Sequence, residues 1–208
     1  MVRVADIRAA LDRRGEPPLE PADEVPLVAL PGRAPRPAAV LCLLFDAPDP
    51  MGGERQAHVV LTRRSSRLRS HTHQVSFPGG RLDAGESPEE AALREAHEEV
   101  GVDPRSVEII GRLSSLRTVA NPAAIIPFVG VTPDRPRLRP NPAEVERAYD
   151  VPLVELYDRE VYREELWRFP DGTERPMQFF ELIGDTVWGA TARMLAELLD
   201  LVAESLER

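Results

Sequence analysis

The stretch from Phe77 to Val102, FPGGRLDAGESPEEAALREAHEEVGV, constrains this chain more than any other. Ser87 stands where a helix N-cap belongs. Pro88 follows at the first helical position, and Glu90, three residues on, completes a capping box. Gly101 supplies the matching C-terminal stop. Between these ends Leu93, Ala96 and Val100 recur at three- and four-residue spacing and predict a buried stripe. The acids occupy the rest of the circumference. Glu95 and Glu99 are four apart, one turn above the other on one face, and Glu98 borders that face. Like charges so placed repel by about 0.2–0.5 kcal/mol per exposed pair. A helix with no task beyond stability would interleave a basic residue. A hard divalent cation, which binds carboxylate oxygens, is the simplest compensation. A solvated acidic face is the plainer alternative. On the shared-face argument Glu95 and Glu99 are the main candidate metal ligands and Glu98 a third. Gly79-Gly80, just upstream, lets the backbone turn tightly and approach a ligand.

The surroundings extend this reading. Gly80, five residues, Glu86, seven residues and then Arg94-Glu95-Ala96-His97-Glu98-Glu99-Val100-Gly101-Val102 resembles the Nudix box of hydrolases that act on nucleoside diphosphates linked to another group. Every fixed position agrees. Ala96 stands where a larger aliphatic residue is usual. The resemblance implies an α/β fold, an α/β/α sandwich around a mixed central sheet. It also implies attack by water on a pyrophosphate, with Mg²⁺ or Mn²⁺ as cofactor. Glu95, Glu98 and Glu99 are then the expected catalytic residues and metal ligands, joined by a backbone carbonyl at Gly79 or Gly80. Arg94, four residues before Glu98, is expected to orient that carboxylate. Glu86 is expected to fix the loop, with Gly80 and Gly101 structural. The general base stays open between a box glutamate and a distant loop carboxylate, Glu144 or Glu146.

A second resemblance precedes the box. Leu61-Thr62-Arg63-Arg64-Ser65, then Arg69, His73 and Phe77-Pro78-Gly79-Gly80 look like the signature of the coenzyme A pyrophosphatase branch of that family. Val60 replaces a leucine, and His73 stands where glycine is usual. Trp188-Gly189-Ala190-Thr191-Ala192 is similar to the end of the same branch. This implies a small-molecule substrate, coenzyme A, cut to 3′,5′-ADP and 4′-phosphopantetheine. Arg63, Arg64, Arg67 and Arg69 become candidates for its phosphates, with Phe77 and Gly80 at the substrate. They make a local positive patch suited to bidentate phosphate contacts. Other Nudix substrates, such as ADP-ribose, dinucleoside polyphosphates or oxidised nucleotides, are the alternative. A nucleotide-binding module without catalysis is an alternative of another class.

Composition removes several other classes. The formal net charge is −9, which disfavours nucleic acid as partner. All 26 basic residues are Arg, so neither a Walker phosphate loop nor a lysine Schiff base is available. Cys42 is the single cysteine, which leaves no internal disulfide and no cysteine metal site. The His71-x-His73 pair lacks the partners of a zinc site. No apolar run is long enough to span a membrane and no signal-peptide core is visible, so a cytoplasmic location is the expectation. Oligomeric state is not readable.

Along the chain, residues 3 to 14 predict an amphipathic helix stopped by Gly15. Residues 16 to 37 are Pro-rich and predict an extended surface connector. Residues 1–37 are thus expected to pack on a domain running from 38 to 208. Ala38–Phe45 and Ala57–Thr62 predict strands, the first buried. Val107–Leu116 and Ile125–Val131 predict two more. Val161–Phe169 and Arg175–Leu182 predict a hairpin across Asp171-Gly172. A short helix near Pro152–Tyr157 and a final amphipathic helix to about residue 206 complete the expectation.

Overall fold

The computed structural model describes residues 2–19, 23–25, 36–48, 53–66, 73–118, 123–169 and 172–206. In chain order the elements begin with α1 (Val4–Arg14), β1 (Asp23–Val25), β2 (Arg36–Pro48), β3 (Arg55–Arg64), β4 (Val75–Ser76), β5 (Gly79–Arg81) and α2 (Pro88–Val100). There follow β6 (Glu108–Arg112), β7 (Leu116–Thr118), β8 (Ala123–Val131), β9 (Val145–Pro152), β10 (Tyr162–Arg168), β11 (Glu174–Leu182), β12 (Asp185–Trp188) and α3 (Gly189–Leu206).

The apolar run at Ala38–Phe45 is continuous because β2 is covered on both faces. Its residues alternate between two cores. Ala39, Leu41, Leu43 and Phe45 pack with Ala91, Ala92, Ala96 and Val100 of α2. Cys42 and Leu44 pack with Ile7 and Leu11 of α1 and with Leu195 and Leu198 of α3. One strand therefore separates a layer of one helix from a layer of two. This is the expected α/β/α sandwich.

The sheet is mixed. Among the described residues it holds nine strands, with the path β1-β7-β8-β2-β3-β4 and β5, β6 and β9 paired to β2, β8 and β3. β2 and β8 run parallel from Arg36↔Ala123 to Leu44↔Val131, whereas β2 and β3 run antiparallel. A second sheet, β10-β11-β12, is antiparallel throughout and lies against α3. Phe180 and Val187 anchor it in the core shared with α1 and α3.

Several expectations change. Within the Pro-rich connector, Asp23–Val25 is a strand paired in parallel with β7. The strand expected over Val107–Leu116 is split, with residues 113–115 breaking it between β6 and β7. The segment around Glu146 and Asp150 is strand β9, which sequence reading left without an element; it pairs with β3 from His58↔Pro152 to Arg64↔Val145. The hairpin forms as expected, with Tyr162 opposite Phe180. Asp171 at its turn lies outside the described residues, as do Arg67, Arg69, His71 and the Asn121-Pro122 turn.

Candidate active site

α2 is built as its sequence requires. Ser87 Oγ accepts from the Glu90 N–H, and Glu90 Oε2 accepts from the Ser87 N–H at 2.9 Å. Gly101 closes the helix at φ +74, its N–H donating to the His97 carbonyl. The buried face is Ala91, Ala92, Ala96 and Val100, with Leu93 half-buried at its edge. One acid, Glu99, is buried with them at 3% exposure. His97 is exposed on the far side and hydrogen-bonds the Val102 carbonyl.

A buried carboxylate needs partners, and Glu99 has few. The Gly79 N–H donates to its Oε2 at 3.1 Å, and the Arg64 guanidinium stands 3.7 Å from its Oε1. Burial pushes its pKa up to about 7 despite the Gly79 N–H and Arg64, which pull the other way. Burial also raises the pKa of Glu95, which is partly offset by Arg94.

The third member of the group comes from outside the helix. Glu95, Glu99 and Glu144 each offer a carboxylate oxygen, and these lie within 4.8 Å of one another. Glu144 reaches them because the end of α2 has unsatisfied carbonyls. The Arg139 N–H meets the Val100 carbonyl and the Asn141 N–H meets the Glu99 carbonyl, both at 2.8 Å. The loop is thereby pinned to the helix. A turn at Asn141 follows, and the Ser65 N–H then holds the Glu144 carbonyl at 2.8 Å. Sequence reading gave Glu144 only as a candidate base.

Arg94 ties one acid of the cluster, Glu95, to two that the cluster leaves out, Glu86 and Glu98. It makes a bidentate pair with Glu86 (2.8 and 3.0 Å) and contacts Glu95 at 3.0 Å, Glu98 at 3.2 Å and the Arg81 carbonyl at 3.1 Å. The Arg94 contact, aided by the Asp83 N–H, holds the Glu86 carboxyl down to about 2. Glu98 itself is half-exposed and stands apart from the group of three.

Beside the cluster lies a cleft of about 480 Å³. Ala38, Val40 and Ile125 line it from the sheet, Gln74–Phe77 and Gly79–Arg81 from one wall, and Trp188–Thr191 from the other. Arg64 lines it as well, so this one side chain touches both the cleft and Glu99. Arg63, its neighbour on the strand, points the other way, as alternation demands. It pairs with Asp185 at 3.0 Å.

The two glycines fit this crowding. At Gly80 a Cβ would strike the Glu95 carboxylate, with Oε2 only 2.7 Å away. At Gly79 it would collide with the Ala39 carbonyl and come within 2.6 Å of Val40 Cα. Backbone cannot swing aside as a side chain can. Gly79→Ala is therefore expected to destabilise the protein by about 1–3 kcal/mol, read as a lowered denaturant midpoint with an unchanged slope. An unchanged midpoint would mean that β5 and β2 are not held this close.

His73 occupies a left-handed conformation, φ +61, which explains why glycine is usual at that place in the resembled signature. Its N–H donates to the Arg64 carbonyl, and its Nδ1 lies 3.2 Å from both Arg63 and Glu146.

Comparison with known proteins agrees with this fold. The chain matches the NUDIX domain over residues 35–169. It is 35% identical over 175 residues to Nudix hydrolase 22, chloroplastic, of Arabidopsis thaliana, covering 81% of this chain and 56% of that protein. It is 36% identical over 172 residues to a Nudix hydrolase, NudL, of Photorhabdus laumondii, covering 80% of this chain and 85% of that one. The chain thus spans little more than half the length of the plant relative. A MutT/nudix family protein from Enterococcus faecalis shares the fold, with a TM-score of 0.54 at 15% identity over 98% of this chain and 70% of that one. With the domain match covering all of the central sheet but β1, the glutamate helix and the loop that carries Glu144, the chain belongs to the Nudix family, whose hydrolases use divalent metal ions.

Proposed function

We propose that this protein hydrolyses the diphosphate bond of coenzyme A in a divalent-metal-dependent reaction, giving 3′,5′-ADP and 4′-phosphopantetheine. One observation carries the substrate assignment. The Phe77–Gly80 segment and the Trp188–Thr191 segment, far apart in sequence, form two walls of one cleft. Both are segments that resemble the coenzyme A branch, and the first of them touches the carboxylates, Gly79 at Glu99 and Gly80 at Glu95.

Glu95, Glu99 and Glu144 are the residues that would hold Mg²⁺ or Mn²⁺. The donor set fits a hard cation. It offers three carboxylate oxygens within 4.8 Å, one of them on a buried group whose nearest positive charge among the described residues is 3.7 Å away. When bound, the cation neutralises charge on the diphosphate and lowers the pKa of a water. The chain's own side chains do the rest. Arg64, poised between Glu99 and the cleft, takes a phosphate oxygen, a task its planar fork suits. The Gly79 N–H fixes one Glu99 oxygen and so orients the other. Glu98, steadied by Arg94 outside the group of three, is the box glutamate left to accept a proton. Phe77 and Gly80 line the substrate cleft.

His73 gives a second reading its footing. A side chain where the branch has glycine changes the approach to the Gln74–Phe77 wall, which favours another nucleoside diphosphate such as ADP-ribose. The deciding experiment is hydrolysis of coenzyme A beside ADP-ribose, with Mg²⁺ or Mn²⁺ and products identified by mass. Release of 3′,5′-ADP from coenzyme A at the higher kcat/KM is expected. Faster turnover of ADP-ribose would replace the substrate assignment and keep the chemistry. Binding without turnover of any nucleotide would make the protein a binding module.

A further inference from the structure

Arg63 is not among the residues lining the cleft, yet its guanidinium has four partners among the described residues, Gly184, Asp185, His73 and Glu146. Its NH1 donates to Asp185 Oδ1 at 3.0 Å and to the Gly184 carbonyl at 3.3 Å. Its NH2 lies 3.2 Å from His73 Nδ1, and its Nε 3.5 Å from Glu146 Oε2. Asp185 is the buried end of this arrangement, its side chain 2% exposed. Apart from Arg63, the cation facing it is Arg147, at 3.9 Å. A buried carboxylate that loses its close partner is strongly destabilised where it stands, and it moves toward water. Asp185 opens β12, and three residues later the same strand ends at Trp188, where the second wall of the cleft begins.

We propose that Arg63 is a positioning residue for substrate binding: by clasping the Gly184–Asp185 turn to the end of β3 it sets the separation between the Gln74–Phe77 and Trp188–Thr191 walls. The arrangement is continuous on both sides. His73, which leads directly into Gln74, sits on the same guanidinium, so both walls are referred to one side chain. The proposal replaces the phosphate role expected of Arg63 from sequence. It also gives His73 a part that glycine cannot play. As a statement about substrate it rests on the reading of the cleft given above.

The test separates the two. In a Trp167→Phe background Trp188 is the single tryptophan, since the chain has two. Acrylamide quenching of Trp188 is measured without substrate in Arg63→Met, Asp185→Asn and Arg63→Lys. KM and kcat for coenzyme A are measured in the same substitutions with Trp167 intact. Quenching is expected to rise in Arg63→Met and Asp185→Asn and to fall back in Arg63→Lys. KM is expected to rise about tenfold, with kcat within about twofold of the parent. Combining Arg63→Met with Asp185→Asn is expected to add little, because each breaks the same link. Thermal melting confirms that each variant is folded; should Arg63→Met fail to fold, Asp185→Asn carries the comparison. Unchanged quenching overturns the proposal, and so does a fall in kcat at unchanged KM. If the parent turns over no nucleotide, the proposed function fails and the quenching series alone decides the clasp.

Discussion

Replacing Glu99 with Gln is expected to lower kcat by about 10²–10³-fold, the loss typical of removing one preorganised electrostatic stabiliser from a reaction centre. The substitution is nearly isosteric, and the amide oxygen still accepts from the Gly79 N–H that now meets Oε2 at 3.1 Å. What disappears is the charge. Phosphoryl transfer depends mainly on charge neutralisation and positioning, so the chemical step falls further than substrate binding does. The opposite sign is expected for stability. Glu99 is buried at 3% exposure, and a neutral amide there avoids the desolvation that raises the carboxyl. The chelator-treated variant should therefore melt higher than the parent while gaining less from added Mn²⁺. Glu98→Gln provides the contrast. Its carboxylate is half-exposed and engaged by Arg94, so it should alter cation-induced stabilisation less than Glu99→Gln does. Equal cation responses in the two variants would place the metal elsewhere on the helix.

The glutamate helix was legible because everything that forms it is local. The cap at Ser87, the return bond from Glu90 and the left-handed stop at Gly101 all lie within one short segment. β2 was legible for a related reason, since a strand covered on both faces needs no alternation to betray it. β9 has neither advantage. Its sequence, VERAYDVP, alternates charge with apolar residues only loosely, and its burial follows suit. It is a strand because β3 offers it a partner, and that pairing is decided by tertiary contact.

The site divides along the same line. Glu95 and Glu99 follow from helical spacing. Glu144 does not, because its place depends on Arg139 and Asn141 satisfying carbonyls at the end of α2. The arginine patch shows the converse. Composition drew Arg63 and Arg64 together as phosphate ligands, but adjacent residues on a strand face opposite sides. Once β3 is seen to run through Arg64, one side chain reaches Glu99 and the other Asp185. The strand extends two residues beyond the expected Thr62, and this small difference sends the two side chains to different partners.

Removing the divalent cation should make stability depend on pH in an unusual direction. Glu99 has an ordinary value of 4.5 in the unfolded chain and about 7 when folded. For an acid whose folded value is raised, the stabilising contribution is fully present below 4.5 and is lost as pH rises through 7. The full shift amounts to the order of 3 kcal/mol at 1.36 kcal/mol per unit. Between pH 5 and pH 8 about 2–3 kcal/mol of it should be lost, or roughly 4–12 °C in melting temperature for a domain of this size. Glu95, raised by the same cause, adds in the same direction. Other carboxylates with lowered values, such as Glu86 and Asp150, lose stability on acidification instead. The clean quantity is therefore the difference between the parent and Glu99→Gln, both in chelator, across that range. Saturating Mn²⁺ should reverse the trend for the parent, because the cation competes with a proton for Glu99 and is bound more tightly at pH 8 than at pH 6. A parent and variant whose melting curves run parallel from pH 5 to pH 8 would show that Glu99 carries its charge without penalty. The case for a cation at this cluster would then lose its electrostatic basis.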